Sequence, residues 1–204
     1  MLVAALLLCW PGAGAPRSHS GRAGDFDFYL LTLSWSPEYC HGRPDDPQCT
    51  GSRHFGFVVH GLWPQYRNGG WPEFCSHAPG LVNPAEMLDI MPSLSLIDHE
   101  WLRHGTCSGL DANAYFGLAR KAFTRIRIPS GFIRPAEIFT VGADDLLQQF
   151  VQANPGLNRG AVAVSCHSHY LNAVEICIDR NLQPVTCTAV RSCHDPALRV
   201  PPVR

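Results

Sequence analysis

Aromatic and β-branched residues gather in short runs along this chain, and the runs read as strands. Residues 26–35 form an apolar stretch stopped by Ser36-Pro37, and residues 55–60 form a second that ends at Gly61. Residues 161–167 and 172–179 read as two strands joined by a tight turn, and 184–190 as a further strand. Between these runs the spacing turns helical. Asn83-Pro84 starts a short helix, and Ser95 or Asp98 caps one running toward Gly105. Asp111 caps an amphipathic helix reaching about Arg127, with Tyr115, Leu118, Ala119 and Ala122 on one face. Residues 135–140 and 144–153 read as two shorter helices, the second capped by Asp144. The Pro/Asp/Gly-rich stretch 40–51 and the segment 64–72 read as loops. Strands near both ends with helices grouped between them predict an α+β fold with a central, mostly antiparallel sheet.

Composition narrows the class. At 204 residues, 46% hydrophobic and 16% charged, the chain has the core of one domain and is not a disordered polymer. Its formal net charge of −1 advertises no polyanionic partner over the whole surface, although local positive charge suffices for an enzyme. Residues 1–10 are apolar but too short to cross a bilayer, which takes about 20 residues. Followed by small residues and an Ala-x-Ala site, they read as a secretory signal cut after Ala15 or Ala23. The expected organisation is a signal and polar lead-in over 1–23, then one domain over 24–204. Of nine cysteines, Cys9 falls in the signal, which leaves an even set suited to an oxidising compartment, periplasmic or extracellular.

Two segments carry candidate chemistry. In His60-Gly61-Leu62-Trp63-Pro64 a His projects beside a Trp able to stack on a planar group, although a packed core His would look the same. In His99-Glu100-Trp101-Leu102-Arg103-His104-Gly105-Thr106-Cys107, helical spacing sets Glu100 beside His104 and His99 beside Arg103 on a polar face, with Trp101 and Leu102 turned to the core. The spacing H-E-x-x-x-H differs from the zinc motif H-E-x-x-H. Its two imidazoles stand about 140° apart on a helix instead of about 40°, which disfavours a metallohydrolase. His167 and His169 share a strand face by alternation and read as surface residues rather than metal ligands. Two imidazoles near neutrality can act as base and acid, while Arg and a third His hold a phosphate. That set suits RNA cleavage by the substrate's own 2′-hydroxyl, with no metal.

These two segments, together with Trp35, Pro37 and Cys40, resemble the active-site segments and N-terminal strand of the ribonuclease T2 family. The resemblance spans about residues 25–193, and the absence of any Asn-x-Ser/Thr site makes the chain more similar to bacterial members. It implies a disulfide-stabilised single-domain endoribonuclease that cuts single-stranded RNA to 2′,3′-cyclic phosphate ends and then hydrolyses them to 3′-phosphates. By the same resemblance His104 is the general base, His60 the general acid, and His99 and Arg103 the phosphate holders. Glu100 orients and stabilises the pentacoordinate state, and Trp63 supports His60 or stacks on a base. Arg103 stands where the family usually has Lys, so activity is expected to persist with altered phosphate geometry. The implied disulfides are Cys40–Cys49, Cys75–Cys107, Cys166–Cys193 and Cys177–Cys187. No cofactor or metal, no DNA and no membrane are expected, and the chain is expected to be a monomer. The alternative from another class is a catalytically silent protein of the same fold that binds RNA or a partner.

Overall fold

The computed structural model describes residues 18–51 and 53–204. The signal reading and Cys9 lie outside the described residues. In chain order the elements are β1 (Ser18–Ser20), β2 (Phe28–Trp35), α1 (Ser36–Cys40), α2 (Pro47–Thr50), β3 (Phe57–Gln65), β4 (Trp71–Glu73), α3 (Leu94–Arg103), α4 (Ala112–Thr124), β5 (Phe139–Val141), α5 (Ala143–Ala153), β6 (Val162–His167), β7 (Tyr170–Ile178) and β8 (Leu198–Val200). Six strands form one sheet in the order β3-β2-β7-β8-β5, with β6 also on β7. All pairs are antiparallel except the single Tyr170↔Arg199 contact of β7 with β8. The fold is α+β.

Alternation along the central strands divides the sheet into two faces. One carries Tyr29, Leu31, Leu33 and Trp35 of β2, Val59 and Leu62 of β3, and Val174 and Ile176 of β7. These pack against Ile97 and Trp101 of α3, Tyr115 and Phe116 of α4, and Leu146 and Phe150 of α5, making the main core. The opposite face holds only a small apolar cluster of Phe28, Leu30 and Cys177, flanked by Trp63, Val185 and Val190. Disulfides join Cys40–Cys49, Cys75–Cys107, Cys166–Cys193 and Cys177–Cys187.

Several local expectations are corrected. β3 does not end at Gly61 but continues to Gln65. Its register runs Thr32↔Gly61 and then Leu33↔Val59, so His60 is the extra residue of a β-bulge. The helix before Gly105 is capped by Ser93, whose Oγ accepts from Leu96 N, and Asp98 lies inside it. Gly142 occupies the cap position of α5 and Asp144 its first turn, because Ala143 must enter the core. Residues 135–140 are not a helix. Phe139–Val141 pairs with β8, a partner too distant in sequence for local spacing to reveal. Residues 184–190 make only an isolated Ile178↔Pro184 bridge, and are held instead by Cys177–Cys187 and by Cys187 N donating to Gly160 O. A short helix, α2, sits in the loop between Cys40 and Gly51, with Asp46 accepting from Gln48 N. The polar stretch at Ser18–Ser20 pairs in parallel with β4.

Candidate active site

The bulge determines where the chemistry can sit. Along an unbroken strand, His60 and Gly61 would face opposite ways. The extra residue brings His60, Gly61 and Trp63 to the thinner face of the sheet, while Val59 and Leu62 stay in the core. Helix α3 approaches that face with its C-terminal end. Buried Trp101, whose indole donates to Ala78 O at 2.8 Å, anchors it, while Leu102 is 47% exposed rather than buried as its apolar character suggested. His104 is the helix C-cap, with φ −118°, and the chain then tightens through Gly105–Cys107 into the Cys75–Cys107 disulfide. Gly105 is obligatory there, since a Cβ would stand 2.4 Å from the Trp101 ring.

His60, Trp63, His99, Glu100, Arg103 and His104 line one cavity of about 360 Å³, whose remaining walls include Leu30, Gln65, Trp71, Glu175, Ala189 and Val190. Trp63 is its hub. Its indole N–H donates to Glu100 Oε2 at 2.6 Å. The ring stacks on His104 at 5.2 Å and 29°, and meets His60 edge-on at 5.5 Å and 80°. His60 Nε2 lies 3.6 Å from Glu100 Oε1. Gly61 permits this crossing, because a Cβ would come within 2.0 Å of Glu100 Oε2 and 2.2 Å of Trp63 Nε1.

The pairing read from helical spacing is corrected here. Glu100 is held by Trp63 across the strand, and Arg103 turns to β4 instead of His99. Its Nε donates to Glu73 Oε1 at 2.6 Å, its Nη2 contacts the same oxygen, and Trp71 Nε1 donates there as well, at 2.7 Å. Trp71, in the segment 64–72 read as loop, and Glu73 just beyond it were not legible as site residues. Glu175 could have been found, because the alternation Val174-Glu175-Ile176 places it on the face opposite the core. His167 and His169 do not share a strand face. His169, with φ +67°, lies in the two-residue turn between β6 and β7 and pairs with Asp195.

Burial sets the charges. Desolvation carries His104 down to about 3, with the Arg103 cation adding to it, and its Nδ1 is buried without a hydrogen-bond partner among the described residues. Desolvation also lowers His60, helped by His99. Glu100 is pushed up to about 8 by burial, against the opposing Trp63 hydrogen bond and Arg103 charge. Near neutral pH the cavity therefore holds a neutral imidazole on His104 and a protonated carboxyl on Glu100, both against the Trp63 indole. Among the described residues no group of three or more His, Cys, Asp or Glu is arranged to hold a metal ion. A larger cleft of about 770 Å³ lies beyond the end of β2, but His41 is its only imidazole, so it lacks a base–acid pair.

The family model described as "Ribonuclease T2 family" matches residues 26–187. A ribonuclease of Aeromonas hydrophila is 35% identical over 199 residues, covering 92% of this chain and 87% of that protein. Ribonuclease I of Escherichia coli (strain K12) is 26% identical, covering 87% of this chain and 84% of its own length. Among solved structures, an RNase-related protein from Calystegia sepium superposes with a TM-score of 0.71 at 25% identity, over 88% of this chain and 98% of that one. RNase NT in complex with 5′-AMP shares the fold, with a TM-score of 0.68 at 24% identity, over 87% of this chain and 99% of that one.

Proposed function

Since the chain belongs to the ribonuclease T2 family and is an endoribonuclease of that type, we propose that His104 and His60 are its general base and general acid. The supporting observation is their arrangement around Trp63: His104, kept neutral by burial, lies on the ring's face, and His60, with a side chain 38% exposed, lies at its edge. His104 takes the 2′-hydroxyl proton as the 2′-oxygen bonds to phosphorus. His60 gives a proton to the departing 5′-oxygen as its bond to phosphorus breaks, leaving a 2′,3′-cyclic phosphate. Water entering along the reverse path, with the two imidazoles exchanging roles, hydrolyses the cyclic ester to a 3′-phosphate.

Glu100, held protonated, donates a hydrogen bond to the non-bridging oxygens as charge builds there. His99 and Arg103 supply positive charge to the same oxygens. The fork that clamps Arg103 to Glu73 fixes the guanidinium plane in advance. Trp63 acts through His60, His104 and Glu100. The protein works as a monomer on single-stranded RNA and leaves DNA intact, since the nucleophile is the substrate's. Four disulfides fit the periplasm or the extracellular medium, and among the described residues no helix is long and apolar enough to cross a membrane.

An oligodeoxynucleotide carrying one ribonucleotide tests the mechanism. In excess chelator it should be cut only on the 3′ side of that ribonucleotide, giving a cyclic phosphate end. Cleavage at an all-deoxy linkage, or complete loss of activity in chelator, would overturn the proposal. RNA binding without any cleavage would favour the silent reading.

A further inference from the structure

Glu175 is the one acidic wall of the cavity that the proposed chemistry leaves unused. It sits on β7, directly across from Thr32 of β2, which in turn faces Gly61 of β3. Two strand spacings, about 10 Å of backbone, separate Glu175 from the His60 bulge. That is too far for proton transfer at phosphorus and about right for the base of the adjoining nucleotide. Among the described residues the carboxyl has no hydrogen-bond or ion-pair partner, and the Thr32 hydroxyl beside it is buried without one. An empty-handed carboxyl on the floor of a cavity is a recognition group awaiting a ligand.

The neighbours define what it can read. Thr32 faces it from β2 and Ala163 from β6, and the 187–190 segment adds the cavity walls Ala189 and Val190, so no titratable group flanks it on those elements. The titratable walls of the cavity are His60 on β3, and Glu100, His99, Arg103 and His104 at the end of α3. His60, as general acid, marks the leaving-group side. Resting on that assignment, we infer that Glu175 reads the base 3′ of the scissile phosphate, accepting any base with its neutral carboxyl and selecting guanine with its carboxylate. A neutral carboxyl offers one donor and one acceptor, which every base edge can match. A carboxylate offers acceptors only, and guanine alone presents two adjacent donors, N1–H and the 2-amino group. Burial alone raises Glu175 to about 7, which places the change of preference within the assayable range.

The test is kcat/KM for dinucleoside monophosphates at pH 5 and pH 8, with the 3′ base varied in one series and the 5′ base in another. For the wild-type protein the rate ratio of guanine to adenine at the 3′ position should rise about tenfold between the two pH values, the effect of one bidentate pair. The 5′ series should show no such change. Glu175→Gln, which keeps one donor and one acceptor at every pH, should hold the 3′ ratio flat. Affinity for guanosine against adenosine 5′-monophosphate, measured on the wild-type protein at both pH values, gives the same readout without turnover or a variant. A pH-independent ratio, an equal change in Glu175→Gln, or a change confined to the 5′ base would overturn the inference. Because any of these results can coexist with metal-independent cyclising cleavage, they separate this inference from the proposed mechanism.

Discussion

The two faces of the central sheet are built from the same strands and behave as different materials. On the core face, Leu31, Leu33, Trp35, Val59 and Val174 are fully buried against three helices, and the phenols of Tyr29 and Tyr115 are held neutral among them. On the other face, a thin cluster of Phe28, Leu30 and Cys177 supports His60, Gln65 and Glu175, with Glu100 and His104 brought over by α3. The first face stabilises. The second removes water from titratable groups while supplying few charged partners, and that imbalance moves His104 and Glu100 so far from their ordinary values. Alternation lets one strand serve both purposes, and the bulge at His60 puts an extra side chain on the chemical face without disturbing the core.

The largest expected contrast comes from removing an imidazole. His60→Ala or His104→Ala should lower kcat/KM by about 10²–10⁴-fold with the fold retained, as read by circular dichroism alongside RNA cleavage. A His104→Ala protein of near wild-type activity would mean that the catalytic face is misassigned.

A second pair of variants sharpens the comparison. Leu33→Ala, on the core face, should cost about 2–5 kcal/mol in denaturant unfolding with activity per folded molecule unchanged. Gly61→Ala, on the other, sets a Cβ against Glu100 and Trp63. It should lower kcat about tenfold or more and cost about 1–3 kcal/mol. Equal effects of both variants on activity would erase the distinction between the faces.

The same contrast extends to stability against pH. His104 binds its proton at about 3 when folded and at 6.5 when unfolded, so the unfolded state holds more protons between those values and stability rises with pH there. Glu100 and Glu175 act oppositely. Folded, they keep protons up to about 8 and about 7, against 4.5 unfolded, so stability falls as pH rises through that window. Above pH 4.5 the two carboxyls outweigh the one imidazole, so melting temperature should peak near pH 4.5 and decline toward pH 8, with Glu100→Gln flattening the decline.

How much of this was legible in the sequence follows from the range of each signal. The strands of residues 26–35 and 172–179, the helix after Asp111 and the two His-bearing segments announce themselves through local periodicity, capping and motif. The bulge does not. Gly61 reads as a strand terminator when only its conformational freedom is considered, whereas it serves to make room for the Glu100 carboxyl, 39 positions on. Glu73 beside Arg103 and β5 beside β8 are likewise contacts between distant segments. Helical spacing put Glu100 and Arg103 on the right face but named the wrong partners, since residues of β3 and β4 outcompete neighbours on the same helix.

Burial on the thinner face tunes the two imidazoles, and the pH dependence of kcat/KM on a dinucleotide reads that tuning. That quantity reports the free protein's essential acid and base. A bell is expected whose rising limb follows His104, near pH 3, and whose falling limb follows His60, below its ordinary 6.5. A rate that climbs steadily through pH 9 would contradict it.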